Sequence, residues 1–333
     1  LRLLPLTVLP TEETASVEHK RELFGGYREV PWLIRRVSVT TLPSAASLIG
    51  LRALPAGDLR RKAFAGFGDP FFNREQYARA AAAGEAAAVQ PAGTGIAVAT
   101  RGVRISGKEN LDSDRIRSSR LESLDRLPDT AAEIAGIATI LGADRGKDIF
   151  YGKDASERLV KTMPLADRKV IAFATHALVP RDLDGLEQPA LALSSPAVTG
   201  EKEDGLLTME EILRLKLNAD WVVLSGCNTG AAGGAGAEAV SGLGGAFFYA
   251  GARALLVSMW PVETTSGRKL VTGIFEAQKA GRISRAQAVR RSMLELLDKG
   301  TLIEEASGKI AASYAHPFFW APFVMVGDPG IAP

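Results

Sequence analysis

Short apolar runs alternate with amphipathic stretches through the second half of the chain. Residues 170–174, 221–224 and 254–257 are continuous apolar runs, which are typical of strands buried on both faces of a parallel sheet. A further run over 323–326 predicts a last strand. Apolar residues recur at helical spacing between these runs. The pattern predicts an α/β fold with a mostly parallel sheet and helices on both faces.

Helix starts are marked by a Ser or Thr followed three residues later by Glu or Gln, the capping-box pattern. Asp154 and Glu157, with the same spacing, predict the start of another short helix. Helical faces follow at Ile134 to Leu141 and Leu270 to Phe275, and a further helix is predicted from Val240, Leu243 and Phe247. The capping boxes are Thr130 with Glu133, Thr208 with Glu211, and Ser284 with Gln287.

The first part of the chain has weaker patterns. Residues 37–40 alternate like a strand, residues 45–52 suggest a short helix, and residues 63–68 suggest a strand before a turn. Residues 73–126 are rich in Ala, Gly and scattered charge without a lasting period, which predicts a flexible insertion peripheral to the core. We therefore divide the chain into an N-terminal part, 1–62, and a main domain, 63–333.

Composition narrows the class of protein. The 333 residues are 46% hydrophobic and 23% charged, with a net charge of +2, so nothing calls for a nucleic-acid partner. No apolar stretch reaches the roughly 18 residues of a membrane span. The opening LRLLPLTVLP resembles the cut edge of a longer protein rather than a signal peptide. One cysteine excludes an intrachain disulfide and a cysteine-rich zinc site, and it fits a reducing cytoplasm.

Two reactive side chains follow predicted strands: His176 after one strand and Cys227 after another. In open parallel sheets, function gathers at the carboxyl ends of the strands. A thiol of ordinary pKa is only a few per cent ionised at neutral pH, so a nearby imidazole would activate it. Each residue alone is more often an inert buried side chain. Their joint placement predicts a Cys227/His176 dyad without metal or cofactor.

The neighbours of the dyad suggest how a peptide carbonyl would be held. The backbone N–H groups of Cys227 and Ala177 are candidate donors for an oxyanion. Gly226 permits close approach of a substrate backbone. Ser225, Gly226 and Trp260 are candidate substrate contacts.

Other chemistries have weaker support. The GxGxxA match at residues 234–239 lies too far from the preceding strand for a dinucleotide loop, so a nucleotide-binding protein is the least favoured alternative. His316 stands before Pro317 in an aromatic stretch that suggests packing, and His19 lies in a polar segment.

The sequence around the dyad resembles the CHAT family of caspase-like domains, which usually follow tetratricopeptide repeats. His176 and Cys227 are 51 residues apart, close to the spacing of about 50 in caspases. The resemblance covers nearly the whole chain except about residues 73–126. The matching segments are IAFATH (171–176), DGLLT (204–208), LKLNAD (215–220), VLSGCNTG (223–230), FYAGAR (248–253), WPV (260–262), HPFFWAPF (316–323), WLIR (32–35) and LPS (42–44).

The resemblance implies a caspase-like fold and a cysteine endopeptidase that cleaves a specific protein, regulated by an upstream tetratricopeptide-repeat region or an activating partner. A catalytically silent scaffold or signalling module is the alternative, since caspase-like folds also occur without activity. Two positions depart from the family pattern. Ala177 replaces the usual Gly after the histidine, and Ser225 replaces the acid that some relatives cleaving after Arg or Lys carry two residues before the cysteine.

Overall fold

The computed structural model describes residues 5–13, 22–42, 44–55, 57–84, 100–101, 121–227, 235–303 and 309–330, with the backbone alone at 100–101, 226–227 and 235–241. The strands are β1 (Lys62–Gly68), β2 (Thr100–Arg101), β3 (Ile149–Tyr151), β4 (Arg168–Leu178), β5 (Ala190–Ala192), β6 (Leu206–Thr208), β7 (Trp221–Cys227), β8 (Ala254–Ser258), β9 (Val262–Glu263), β10 (Thr301–Ile303), β11 (Ile310–Ser313) and β12 (Phe323–Gly327). The α-helices are α1 (Ala45–Ala53), α2 (Arg74–Ala82), α3 (Asp129–Leu141), α4 (Glu157–Thr162), α5 (Pro196–Thr199), α6 (Met209–Arg214), α7 (Ala235–Ala250), α8 (Thr264–Ala280), α9 (Arg285–Lys299) and α10 (Pro317–Trp320).

The central sheet has the strand order β12-β8-β7-β4-β1-β3. Strands β8, β7, β4, β1 and β3 pair in parallel, whereas β12 is antiparallel to β8. A small extension, in which β5 pairs with the end of β4 and β6 with β5, is antiparallel. The predicted mostly parallel sheet is confirmed.

Side chains of β4 alternate between two apolar layers, as a buried strand requires. Val170 and Ala172 pack on one face with α3, α8 and α9. Ile171 and Phe173 pack on the other face with α4, α6 and α7. The helices therefore cover both faces, as the apolar pattern predicts.

Two of the predicted capping boxes are present and one is wrong. Thr208 and Ser284 cap α6 and α9 in full capping boxes. Helix α3 instead begins at Asp129 without a side-chain cap, and Thr130 lies inside it. The Thr130 hydroxyl accepts a hydrogen bond from the Asp69 N–H at 2.8 Å and donates to the Leu127 carbonyl at 2.7 Å, so a tertiary contact uses the group that would have capped.

The N-terminal part contains the predicted helix α1, and the predicted strand β1 begins at its last residue, but no strand forms over residues 37–40. Val37 is 46% exposed, so this alternation has no buried face to stabilise a strand. Thr41 follows the segment and makes a bridge to Val326 at the free edge of β12. The edge is covered here by irregular backbone rather than by a strand.

Candidate active site

Strands β4 and β7 lie side by side, and both end at the same edge of the sheet. Ala174 pairs with Ser225, and the next pair joins Ala177 to Cys227. Two residues of β4, Thr175 and His176, lie between these pairs, whereas only Gly226 of β7 does. Thr175 and His176 therefore form a β-bulge. A bulge redirects the side chains it contains and is common beside functional sites. The pairing places the backbone positions of His176 and Cys227 on adjacent strands. That the two side chains face each other stays a prediction.

The His176 imidazole is fully buried and has one observed hydrogen bond. Its Nε2 lies 2.8 Å from the Asp125 carbonyl oxygen. Because a carbonyl can only accept, Nε2 carries the hydrogen and donates. Nδ1 is the acceptor nitrogen of the neutral ring, and it has no hydrogen-bond partner among the described residues.

The environment of His176 favours the neutral ring. Burial lowers the pKa of the imidazole below its usual value, and the hydrogen bond to the Asp125 carbonyl opposes that shift only in part. The Phe72 ring lies 5.5 Å from the imidazole, centroid to centroid, and forms part of the apolar wall. A neutral imidazole with a free Nδ1 lone pair is the form that accepts a proton.

The backbone of Cys227 is the last position of β7, opposite Ala177. The Cys227 side chain lies outside the described part of the chain, and so does the distance between its sulfur and the His176 ring. The glycine-rich residues 228–234 that follow also lie outside it. What the structure fixes is the register that brings the two strand ends together.

The remaining predicted site residues lie around this edge. Ala177 pairs with Leu191 of β5 as well as with Cys227, so sheet strands flank it on both sides. Ser225 is 1% exposed, so a substrate would reach its side chain only after neighbouring loops move. Gly226 stands between Ser225 and Cys227. Trp260, two residues after β8, is half-buried and donates its Nε1–H to the Phe318 carbonyl at 3.1 Å.

Residues 85–99 and 102–120 lie outside the described part of the chain, so the expectation of a peripheral insertion stays a prediction for them. The described ends of the range, 73–84 and 121–126, do contact the core. Leu124 is 1% exposed in a cluster with Phe72 and Leu178. Asp125 supplies the carbonyl that binds His176. Gln76 of α2 donates its side-chain N–H to the Leu124 carbonyl at 2.7 Å, which joins the two ends of the range. The composition of the range hides these contacts because most of them use backbone atoms.

Among the described residues, no group of three or more His, Cys, Asp or Glu side chains is arranged to hold a metal ion. Over the same residues, no helix is both long and apolar enough to cross a membrane.

The CHAT domain family model matches residues 1–328. A segment of 125 residues, 37% of the chain, is 30% identical to the Tetratricopeptide repeat protein 28 of Mus musculus. The aligned segment covers 4% of that relative's length. The family match spans both the N-terminal part and the sheet that carries His176 and Cys227. The chain belongs to the CHAT domain family and has its caspase-like α/β fold.

Proposed function

We propose that this chain is a cysteine endopeptidase in which Cys227 is the nucleophile and His176 the general base. The observation that carries the proposal is the pairing of Ala177 with Cys227, which brings the end of β7 beside the bulge that contains His176. The hydrogen bond from Nε2–H to the Asp125 carbonyl supports the same assignment, since it leaves Nδ1 able to accept a proton.

In the proposed first step, Nδ1 takes the proton of the Cys227 thiol while the sulfur attacks the carbonyl carbon of the scissile peptide bond. The carbonyl oxygen becomes negative, and the N–H groups of Cys227 and Ala177 are the proposed donors to it. The tetrahedral intermediate then collapses. The C–N bond breaks, Nδ1 returns its proton to the leaving amine, and a thioester remains on Cys227.

In the second step, Nδ1 removes a proton from water while the water oxygen attacks the thioester carbon. The C–S bond then breaks, the carboxylic acid leaves, and the sulfur recovers its proton from Nδ1. The reaction needs no metal or organic cofactor, because the imidazole carries every proton that moves.

We place the substrate backbone along Ser225, Gly226 and Trp260. The Ala177 methyl group, where relatives have glycine, is buried in the apolar cluster that contains Ile171 and Phe173. Because Ser225 carries no charge, the site lacks the acid that would favour a basic residue before the scissile bond. The burial of His176 implies that the surrounding loops must move before a polypeptide enters.

The test uses the single cysteine of the chain, since any thiol label reports on Cys227 alone. The rate of iodoacetamide labelling is measured against pH for the folded wild type, for His176→Gln and for the wild type in denaturant. A free thiol has a midpoint near its pKa of about 8.5. We expect the folded wild type to have a lower midpoint, which returns to the ordinary range in His176→Gln. The midpoint is the readout because restricted access scales the whole profile without moving it.

The same proteins are then incubated with peptide libraries and candidate protein substrates. We expect cleavage by the wild type and none by Cys227→Ala. Equal labelling midpoints in the wild type and His176→Gln, together with no cleavage, would contradict the peptidase and favour a catalytically silent scaffold.

We further propose that a tetratricopeptide-repeat region or an activating partner orders the site in a cytoplasmic setting. The tetratricopeptide-repeat relative in the mouse and the buried histidine support this proposal. We keep 1–62 and 63–333 as its N-terminal part and catalytic part. Cleavage by the isolated chain that is unchanged by added repeat-containing partner would contradict the gating but not the dyad.

A further inference from the structure

The segment that supplies the Asp125 carbonyl is held at four consecutive residues. Each of the residues 124–127 makes a hydrogen bond or an ion pair with the side chain of a residue outside this segment. The partners are Gln76 Nε2 on the Leu124 carbonyl at 2.7 Å, His176 Nε2 on the Asp125 carbonyl at 2.8 Å, the Asp69 carboxylate on the Arg126 guanidinium, and Thr130 Oγ1 on the Leu127 carbonyl at 2.7 Å.

The Asp69–Arg126 pair is the charged member of this set. Arg126 Nε donates to Asp69 Oδ1 at 2.8 Å, and Arg126 Nη2 donates to Oδ2 at 2.7 Å, which is the two-bond fork geometry. The side chains are 16% and 7% exposed, so water competes little for either group. The Arg126 guanidinium also lies 4.9 Å from the centre of the Phe71 ring. The two parallel hydrogen bonds fix the orientation of the Arg126 guanidinium as well as its distance from the Asp69 carboxylate.

Asp69 is itself fixed to the sheet. It directly follows β1, and its backbone has a φ of +48°, which Asp tolerates better than most residues. Its N–H donates to Thr130 Oγ1, and its carbonyl accepts from the Gly152 N–H at 3.1 Å. Strand β1 pairs directly with β4, which carries His176. The carbonyl and the imidazole are therefore both positioned from the same pair of strands.

We propose that the Asp69–Arg126 ion pair is a positioning device that holds the Asp125 carbonyl against His176 Nε2 and so selects the Nε2–H form of the imidazole. In this role Arg126 acts through the adjacent residue, Asp125, and is not itself a catalytic residue. If the carbonyl moves away, the form with hydrogen on Nδ1 becomes competitive, and that form cannot take a proton from Cys227. The inference rests on the proposed function for its catalytic meaning, but the structural effect is measurable without activity.

The experiment compares the wild type with Arg126→Lys, which keeps the charge and loses the fork, and with the neutral double variant Asp69→Asn/Arg126→Gln. Nitrogen-15 NMR of the imidazoles reports which ring nitrogen carries hydrogen. The chain has three histidines, and the His176→Gln spectrum assigns the signal. We expect the Nε2–H form of His176 in the wild type and a mixture of forms in folded Arg126→Lys. We also expect Cys227 labelling at pH 7 to fall several-fold in that variant, in proportion to the lost fraction of the Nε2–H form.

The matched control is Arg79→Lys. Arg79 pairs with Glu75 on α2 in the same part of the chain, but these side chains are 77% and 71% exposed and make no hydrogen bond or ion pair to residues 124–127. We expect its spectrum and its labelling rate to match the wild type.

The outcomes separate the two proposals. A folded Arg126→Lys protein with the wild-type imidazole form and labelling rate would overturn the positioning role and leave the dyad intact. Equal labelling midpoints in the wild type and His176→Gln would overturn the dyad, whereas the NMR comparison would still decide the positioning role. Loss of folding in both variants would also overturn the positioning role, because the pair would then stabilise the whole domain rather than this segment.

Discussion

At the residue scale, the site depends on a backbone atom that side-chain chemistry does not reveal. His176 was predicted from its type and its place after a strand. Its partner, the Asp125 carbonyl, exists at every residue of the chain, so no sequence pattern distinguishes it. The Asp69–Arg126 pair is equally hidden, because the residues are 57 positions apart and each type is common on surfaces. Sequence reasoning finds reactive groups but not the contacts that orient them.

The buried imidazole predicts a pH dependence of stability. Burial lowers the pKa of folded His176, whereas in the unfolded chain it titrates near 6.5. As pH falls below that value, the unfolded state binds a proton that the folded state resists, so the free energy of unfolding falls. We expect the wild type to lose stability relative to His176→Gln between pH 7 and 5, with a limiting slope of about 1.4 kcal/mol per pH unit. Denaturant unfolding at pH 5, 6, 7 and 8 measures it, and parallel curves would contradict the burial of this ring.

At the scale of elements, the sequence predicts a strand or helix correctly where the local pattern and the tertiary contacts favour the same structure. Strands β4, β7 and β8 follow from continuous apolar runs, and α6 and α9 start at their predicted caps. The predicted cap at Thr130 is wrong because its hydroxyl accepts a hydrogen bond from the Asp69 N–H instead. The predicted strand over residues 37–40 is wrong because the segment has no buried face to stabilise it. The bulge in β4 could not be predicted because it is a property of the pairing with β7.

Helix α7 allows a prediction about glycine in two settings. Gly245 lies inside the helix on its exposed side, and a Cβ there would meet no atom within 4 Å. We expect Gly245→Ala to stabilise the protein by about 0.5–1 kcal/mol, because alanine loses less backbone entropy in a helix. Gly251 follows the helix with a φ of +114°, and a Cβ there would lie 2.3 Å from the Leu217 carbonyl oxygen.

We therefore expect Gly251→Ala to destabilise the protein by about 1–3 kcal/mol, since the residue is both strained and crowded. Chemical unfolding of the two variants and the wild type measures whether each substitution raises or lowers the free energy of unfolding. Equal effects from the two substitutions would mean that the backbone after α7 relaxes freely.

At the scale of the whole molecule, the N-terminal part is built into the same core as the sheet. Trp32 and Ile34 are buried in the layer that contains α8, α9 and α10. The Trp32 and Trp320 rings lie 5.7 Å apart, and Arg290 of α9 donates to the Ile34 carbonyl at 2.7 Å. The division into 1–62 and 63–333 therefore marks a change in sequence pattern, and we propose that it does not mark two folding units.

A single folding unit predicts one cooperative unfolding transition that responds as a whole to changes in the N-terminal part. Trp32 is 7% exposed, so Trp32→Ala should lower the free energy of unfolding by about 3–5 kcal/mol. Leu59 is the matched control, because it lies in the same part of the chain and is 86% exposed; Leu59→Ala should change stability by no more than about 0.5 kcal/mol. Far-UV circular dichroism follows the helices, and Cys227 labelling follows the end of β7 in the middle of the sheet. We expect the two signals to change at the same denaturant concentration in each protein, and to move together in Trp32→Ala. A labelling transition that stays at the wild-type midpoint while part of the circular dichroism signal is lost early would show that residues 5–62 unfold on their own.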